Sequence, residues 1–406
     1  MKSSRTHLSL VQVSFSTLAI VFASLLVLAL SPVAAGAAAT PQTPIKIGYL
    51  SPVTGPFADG ASFITAGLEI GFEEVGYKVG GRTIRVITED TEFKADVALT
   101  KTRKLIERDK INIIVGPVNS AGALAIRDYV VGKNVPLIVT QATATQLIKS
   151  EKPPRVFRPN YSSPQIQYEP GRYFYTKMGY KKIAVVGFDH VAGREHVEGF
   201  KRGFEDAGGK VVQEIYIPVG TADHAPYIGK IDADKVDAVN VILWGIDAIR
   251  FLKQAKDFGL KEKVPIIAYG SGVIVEGMSM PVLGKDVLGI VNYSDYAYNL
   301  ETNTNKRLVS SVKKKLGKDS NYLTANGYTA ARIIVEAIKA IKGNVEDVPR
   351  LYKAIQAVEF DGPAGKFKFD EYGQTIITLY IREPVEKDGG VYNKILDTIP
   401  NVKHPY

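Results

Sequence analysis

The stretch from Ile113 to Val130, IIVGPVNSAGALAIRDYV, sets a hydroxyl at Ser120 just after an apolar run broken by Gly116-Pro117. Two chemistries suit a Ser there. One is a helix N-cap, in which the side chain accepts from a free first-turn amide. The other is an anion site, since free amides and the positive end of the helix dipole favour a carboxylate. Other candidates are weaker. Asp90 and Glu92 follow an apolar-alternating segment, and paired carboxylates can do acid-base work, but that position also suits a loop capping the next helix. His190 and His196 lie six apart, not at the i, i+4 spacing of a zinc pair. Gly270-Ser271-Gly272 lacks the third Gly of a dinucleotide loop. There is neither a GxSxG elbow nor a GxxxxGK[ST] phosphate loop. This inventory gives an enzyme little, so no catalytic residue, cofactor or metal is expected.

The segments around these residues alternate. Apolar runs at 45–50, 83–88, 111–115 and 135–139 read as strands, and helical periodicity marks 61–76, 95–109 and 121–132. After a Pro-rich break at 152–159 the rhythm restarts, with strands at 182–187, 211–217, 237–243, 264–269 and 287–291 and helices at 193–207 and 247–258. Helices are expected at 304–316 and 322–341, and the tail at 365–380 alternates as extended chain. Such alternation implies two α/β lobes, each with a largely parallel sheet covered on both faces.

The chain has 406 residues, 45% of them hydrophobic and 23% charged, enough for two cores. Its net charge of +9 is scattered, as in Lys181-Lys182, and no basic stripe interleaves with aromatics, so nucleic acid is not an expected partner. Residues 1–39 carry Lys2 and Arg5, a long apolar stretch, and Ala-rich A-x-A spacing, the features of a cleavable secretory signal. An uncleaved anchor is the competing reading, because the stretch nears membrane-spanning length. Cysteine is absent, which removes lipidation at Cys, disulfides and thiol chemistry. A periplasmic location follows as the expectation.

Several segments together carry a resemblance. Ile45-Lys46-Ile47-Gly48 with Thr54-Gly55-Pro56-Phe57-Ala58, then Glu89-Asp90-Thr91, Lys104-Leu105-Ile106, Ile114-Val115-Gly116-Pro117, Val156-Phe157-Arg158-Pro159 and Gly362 to Asp370 stand in an order similar to type I periplasmic solute-binding proteins. These serve branched-chain amino acid-type ABC transporters, and the resemblance spans about 45–380. It implies two Rossmann-like lobes joined by a three-segment hinge, with crossovers near 158–162, 289–296 and 360–368. Lobe 1 would comprise 45–160 plus 295–362, and lobe 2 would comprise 161–294 plus 363–406. A monomer would close its hinge on a small solute and deliver it to an inner-membrane ABC permease. The alternative is a ligand-sensing receptor domain of the same fold, which needs a fused signalling domain or a partner.

The resemblance also assigns the site. Ser120 falls where amino acid-binding members hold the ligand carboxylate, helped by the loop with Ala142 and Thr143, and Phe57 lines the entrance. On the other lobe, Ala192 stands where those members carry a Tyr. Ser271 stands where they carry the acid that holds the ammonium group, with Glu276 a few residues along. Trp244 falls at an aromatic wall, and Tyr293 and Tyr296 join it. A buried ammonium without its acid costs several kcal/mol, so the expected ligand keeps a carboxylate and lacks an α-amine: an aromatic or aliphatic acid. Glu276 or Asp295 meeting a ligand amine would overturn that reading.

Overall fold

The computed structural model describes residues 43–148, 152–387 and 389–405. The signal segment expected at 1–39 lies outside them. Two mixed sheets, both largely parallel, organise the rest. The first contains β1 (Ile45–Ser51), β2 (Lys78–Val79), β3 (Arg82–Asp90), β4 (Ile113–Val115), β5 (Leu137–Ile138) and β6 (Val156–Phe157), in the order β2-β3-β1-β4-β5-β6. All its pairings are parallel except that of β2 with β3. The second contains β7 (Lys182–Phe188), β8 (Lys210–Ile217), β9 (Ala238–Ile242), β10 (Ile266–Tyr269) and β11 (Val291–Ser294). It is completed by a long hairpin that continues the sheet as an antiparallel edge.

The central strands of each sheet are buried on both faces. Ile113, Ile114 and Val115 are fully buried, as are Ala238, Val239, Val241 and Ile242, the continuous apolar reading of a covered parallel strand. The main helices are α1 (Ala58–Glu73), α2 (Ala95–Arg103), α3 (Ser120–Gly132), α4 (Ser163–Thr176), α5 (Val191–Asp206), α6 (Gly245–Asp257), α7 (Asn303–Leu316), α8 (Tyr322–Ala340) and α9 (Val348–Gln356).

Most expected elements are present, with differences that have local causes. The strand expected at 287–291 begins only at Val291, because Gly284–Val287 forms a 3-10 turn and Gly289 takes φ +76°. Helix α4 was not expected, since it is polar and contains Pro170. It is started by a capping box, Ser162 with Gln165, which satisfies first-turn amides. Its crossing with α5 is close: a Cβ on Gly171 would lie 2.4 Å from Phe200 O, and one on Gly203 1.9 Å from Tyr168 O. Both positions therefore require Gly.

The extended tail pairs in a way that its alternation did not indicate. β12 (Glu359–Gly362) pairs with β13 (Gly365–Lys368), and β14 (Ile377–Lys387) pairs with β15 (Gly390–Val402) to finish the second sheet. Between the two hairpins, Gln374 bridges Arg158 beside β6, so the chain reaches the second sheet after Gln374, later than the expected 360–368.

Candidate functional site

Strand order locates the cleft. In the first sheet the chain winds outward in opposite directions from the boundary between β1 and β4, and in the second from the boundary between β7 and β9. Crevices beyond the carboxyl ends of strands at such switch points are where open α/β sheets bind ligands. The loops after β1, β7 and β9 carry Phe57, His190 and Trp244, and the helices that follow β4 and β7 begin with Ser120 and with Val191-Ala192.

On the first wall, Gly116 turns the chain with φ +96°, at a place where a Cβ would lie 2.2 Å from Leu50 O. Asn119, not Ser120, caps α3: its Oδ1 accepts from Gly122 N at 3.2 Å while its Nδ2 donates to Phe93 O at 2.7 Å. The capping reading of Ser120 is thereby corrected. Ser120 Oγ accepts from Thr143 N and Ala144 N, each at 3.2 Å. With both lone pairs engaged, what the hydroxyl retains is its donor proton, suited to a carboxylate. Thr143 Oγ1 accepts a single bond, from Ser163 Oγ at 2.9 Å. Ala142 is buried beside it. Phe57 is half-buried and stacks on Phe93, with ring centroids 5.6 Å apart.

The second wall is aromatic. Trp244, half-buried, meets Phe188 at 4.6 Å, His190 at 5.3 Å and His196 at 5.8 Å between ring centroids. His196 lies 5.0 Å from the ring of Tyr269. Burial pushes the His196 imidazole down to about 3, with a smaller push from His190, so it is neutral across the physiological range. Ala192 is nearly buried. The two walls meet through Thr145 N, which donates to Glu195 Oε2 at 3.3 Å, and through the Tyr161 and Tyr269 hydroxyls, 2.5 Å apart. An open cavity of ≈ 530 Å³ is lined by Thr145, Gln146, Val191, Arg194, Glu195 and Arg202, and does not include Ser120, Thr143, Trp244 or His196.

Three positions singled out from the sequence sit differently from what was expected of them. Tyr293 is sealed in the second core: its hydroxyl donates to Gln167 Oε1 at 2.5 Å and accepts from Asn240 Nδ2 at 3.3 Å. Tyr296 is buried too, bonded to Asn305 and Ser320. Ser271 is buried and occupied, its Oγ 2.7 Å from Ser294 Oγ and donating to Asp295 Oδ1 at 3.2 Å. The two acids near it differ. Glu276 is paired with Arg382 at 3.2 Å and accepts from Asn393 at 2.8 Å. Asp295 has no cation within ion-pair distance among the described residues, and burial pushes its carboxyl up to about 6 despite hydroxyl donors and the more distant Arg382. It lines a cavity of ≈ 50 Å³ with Pro159, Asn326 and Thr329 where the chain crosses between the sheets, far below the size of a ligand site.

Tyr161 and Tyr269 were not singled out from the sequence, and His196 was weighed only as a zinc ligand. The available signal was spacing: His196 follows Ala192 by four residues, so both share one helix face.

Comparison with known proteins extends these observations. Residues 44–390 match the profile of the family described as periplasmic binding protein. A Leu/Ile/Val-binding protein homolog 6 of Brucella melitensis is 28% identical over 368 residues, 89% of this chain and 93% of that protein. An ABC transporter substrate-binding protein from Sphaerobacter thermophilus superposes with a TM-score of 0.84 at 34% identity, covering 89% of this chain and 99% of that one. A solute-binding protein of an ABC transporter from Rhodopseudomonas palustris BisB5, in complex with 3,4-dihydroxy benzoic acid, gives 0.83 at 27% identity, with the same coverage.

Proposed function

The chain belongs to the periplasmic binding protein family, and on that premise we propose that it captures an aromatic carboxylate and delivers it to an ABC permease. In this reading it acts as a periplasmic monomer without catalysis. The ligand carboxylate lies on the Ser120 and Thr143 hydroxyls, and its ring lies against Trp244, His196 and Tyr269. The sheet-bearing units, 45–160 with 295–376 and 161–294 with 377–405, close on it about their crossings.

The observation that carries the proposal is the pairing of walls: donor hydroxyls on one side, and on the other an aromatic surface of Trp244, His196 and Tyr269. A deprotonated ligand is met by neutral, oriented donors, the arrangement that anion sites at helix starts use. The solute seen with the R. palustris neighbour has the same chemistry.

A second reading has one observation in its favour. Asp295 contacts Ser271, the position where an ammonium-holding acid is expected, and it is not neutralised by a contacting cation. An amino acid could place its amine there.

The test is a thermal-shift series on protein that has been unfolded and refolded to remove carried-over solute. A ligand bound only by the folded state raises Tm by mass action. Benzoates should stabilise, while benzamide and leucine at equal concentration should not. Stabilisation by leucine alone would transfer the assignment to the amino acid reading.

A further inference from the structure

A chain of four side chains crosses the second core and ends in the cleft. Asn240 Nδ2 donates to Tyr293 Oη, Tyr293 donates to Gln167 Oε1, and Gln167 Nε2 lies 2.9 Å from His196 Nδ1. Its polarity is set from one end. Because Tyr293 gives its proton to Gln167 Oε1, the Gln167 amide group facing His196 can only donate. Nδ1 must then accept, and the imidazole proton resides on Nε2, since the bond made by one ring nitrogen fixes the state of the other. Nε2 has no hydrogen-bond partner among the described residues. The whole chain is buried, with His196 2% exposed and the other three fully enclosed.

His196 sits one helical turn after Ala192, a small side chain, on the same face of α5. Trp244 and Tyr269 flank the ring. These are the groups expected around the far end of a ring whose carboxylate lies on Ser120.

We propose that His196 is a ligand-binding residue that selects among aromatic acids, presenting Nε2–H to an uncharged oxygen on the ring, such as a phenol, at the end away from the carboxylate. Gln167, Tyr293 and Asn240 are positioning residues that hold its tautomer. This rests on the aromatic-acid reading and adds the substituent to it. A neutral donor matches a hydroxyl better than a second carboxylate. The titratable groups beside the imidazole are His190 and Tyr269. His196, His190, which burial lowers from 6.5, and a phenol near its ordinary value all keep their charge between pH 7 and 8, so the preference should be flat there.

The test is calorimetric titration of the refolded protein with benzoate and with 4-hydroxybenzoate. One well-made neutral hydrogen bond corresponds to a preference of roughly tenfold for the hydroxylated acid. His196→Phe should abolish that preference while leaving benzoate affinity within about threefold, because the ring surface is kept. Gln167→Glu should hold the imidazole protonated and give the preference a pH dependence that the natural protein lacks. Equal affinity for both acids in the natural protein, or parallel losses for both in His196→Phe, would overturn the assignment of His196 and leave the aromatic-acid reading standing. Binding of neither acid by the natural protein would instead remove the aromatic-acid reading and this assignment with it.

Discussion

The two walls of the cleft solve different problems with different materials. The first wall is made of hydroxyls that already accept hydrogen bonds, Ser120 Oγ from the Thr143 and Ala144 amides and Thr143 Oγ1 from Ser163. Its geometry is fixed by backbone: a Gly116 turn, an Asn119 cap and the start of a helix. The second wall is made of side chains that differ in shape and polarity: Trp244, His196, Tyr269 and the small Ala192. A site split in this way can keep one functional group constant and vary the remainder of the ligand. The first wall would recognise the carboxylate that related ligands share, and the second would read what is attached to it.

Two substitutions, read in three measurements, would sharpen or break that division, and the largest effect is expected on the first wall. Ser120→Ala removes a donor to a charged oxygen and strips two loop amides of their acceptor. Hydrogen bonds to charged groups contribute about 1.5–3 kcal/mol, so affinity for any carboxylate ligand should fall about 10- to 100-fold by calorimetry, whatever its ring carries. A loss confined to one ring substituent would mean that Ser120 does not hold the shared group.

Next in size is a stability effect at Asp295. Its carboxyl is raised from 3.8 to about 6 by burial. The ionised form is thus the disfavoured one, and the cost is absent below about pH 4, grows between 4 and 6, and is complete above 6. A difference of that size corresponds to at most about 3 kcal/mol. Asp295→Asn should therefore raise Tm at pH 7, with the gain shrinking as pH falls toward 4. A gain that persists at pH 4 would show that the carboxyl is not strained in the folded protein.

The smallest expected effect is that of the same substitution on binding. With an amine-free ligand, Asp295→Asn should change affinity less than about threefold, since an uncontacted group contributes little. A loss of 100-fold or more would move the acid into the ligand site and favour the amino acid reading.

The sequence made the two-sheet architecture legible because covered parallel strands are apolar throughout, and the helices between them keep a clear period. Helix α4 was hidden, since its start depends on the Ser162–Gln165 capping box and its middle holds Pro170 and Gly171, which read locally as a break. The β14–β15 hairpin was only partly visible: β15 is largely exposed and alternates weakly. Ser120, Thr143 and Trp244 could be singled out as candidates because each follows a strand and stands at or near the start of a helix or helical turn. Tyr293, expected in the cleft, is buried in the core instead. Spacing along a strand says which face a side chain takes, but which groups complete a buried hydrogen-bond chain depends on four elements packing together: α4, α5, β9 and β11.

The central claim, that the second wall receives a ligand without an α-amine, is tested most directly by two compounds that differ only in that group. Calorimetric titration of the refolded protein with 4-hydroxyphenylacetate and with 4-hydroxyphenylglycine isolates it. The acid should bind more tightly by at least about tenfold, because burying an ammonium without a paired carboxylate costs several kcal/mol. Tighter binding of the amino acid, lost on Asp295→Asn, would contradict the account and make Asp295 the group that receives the amine.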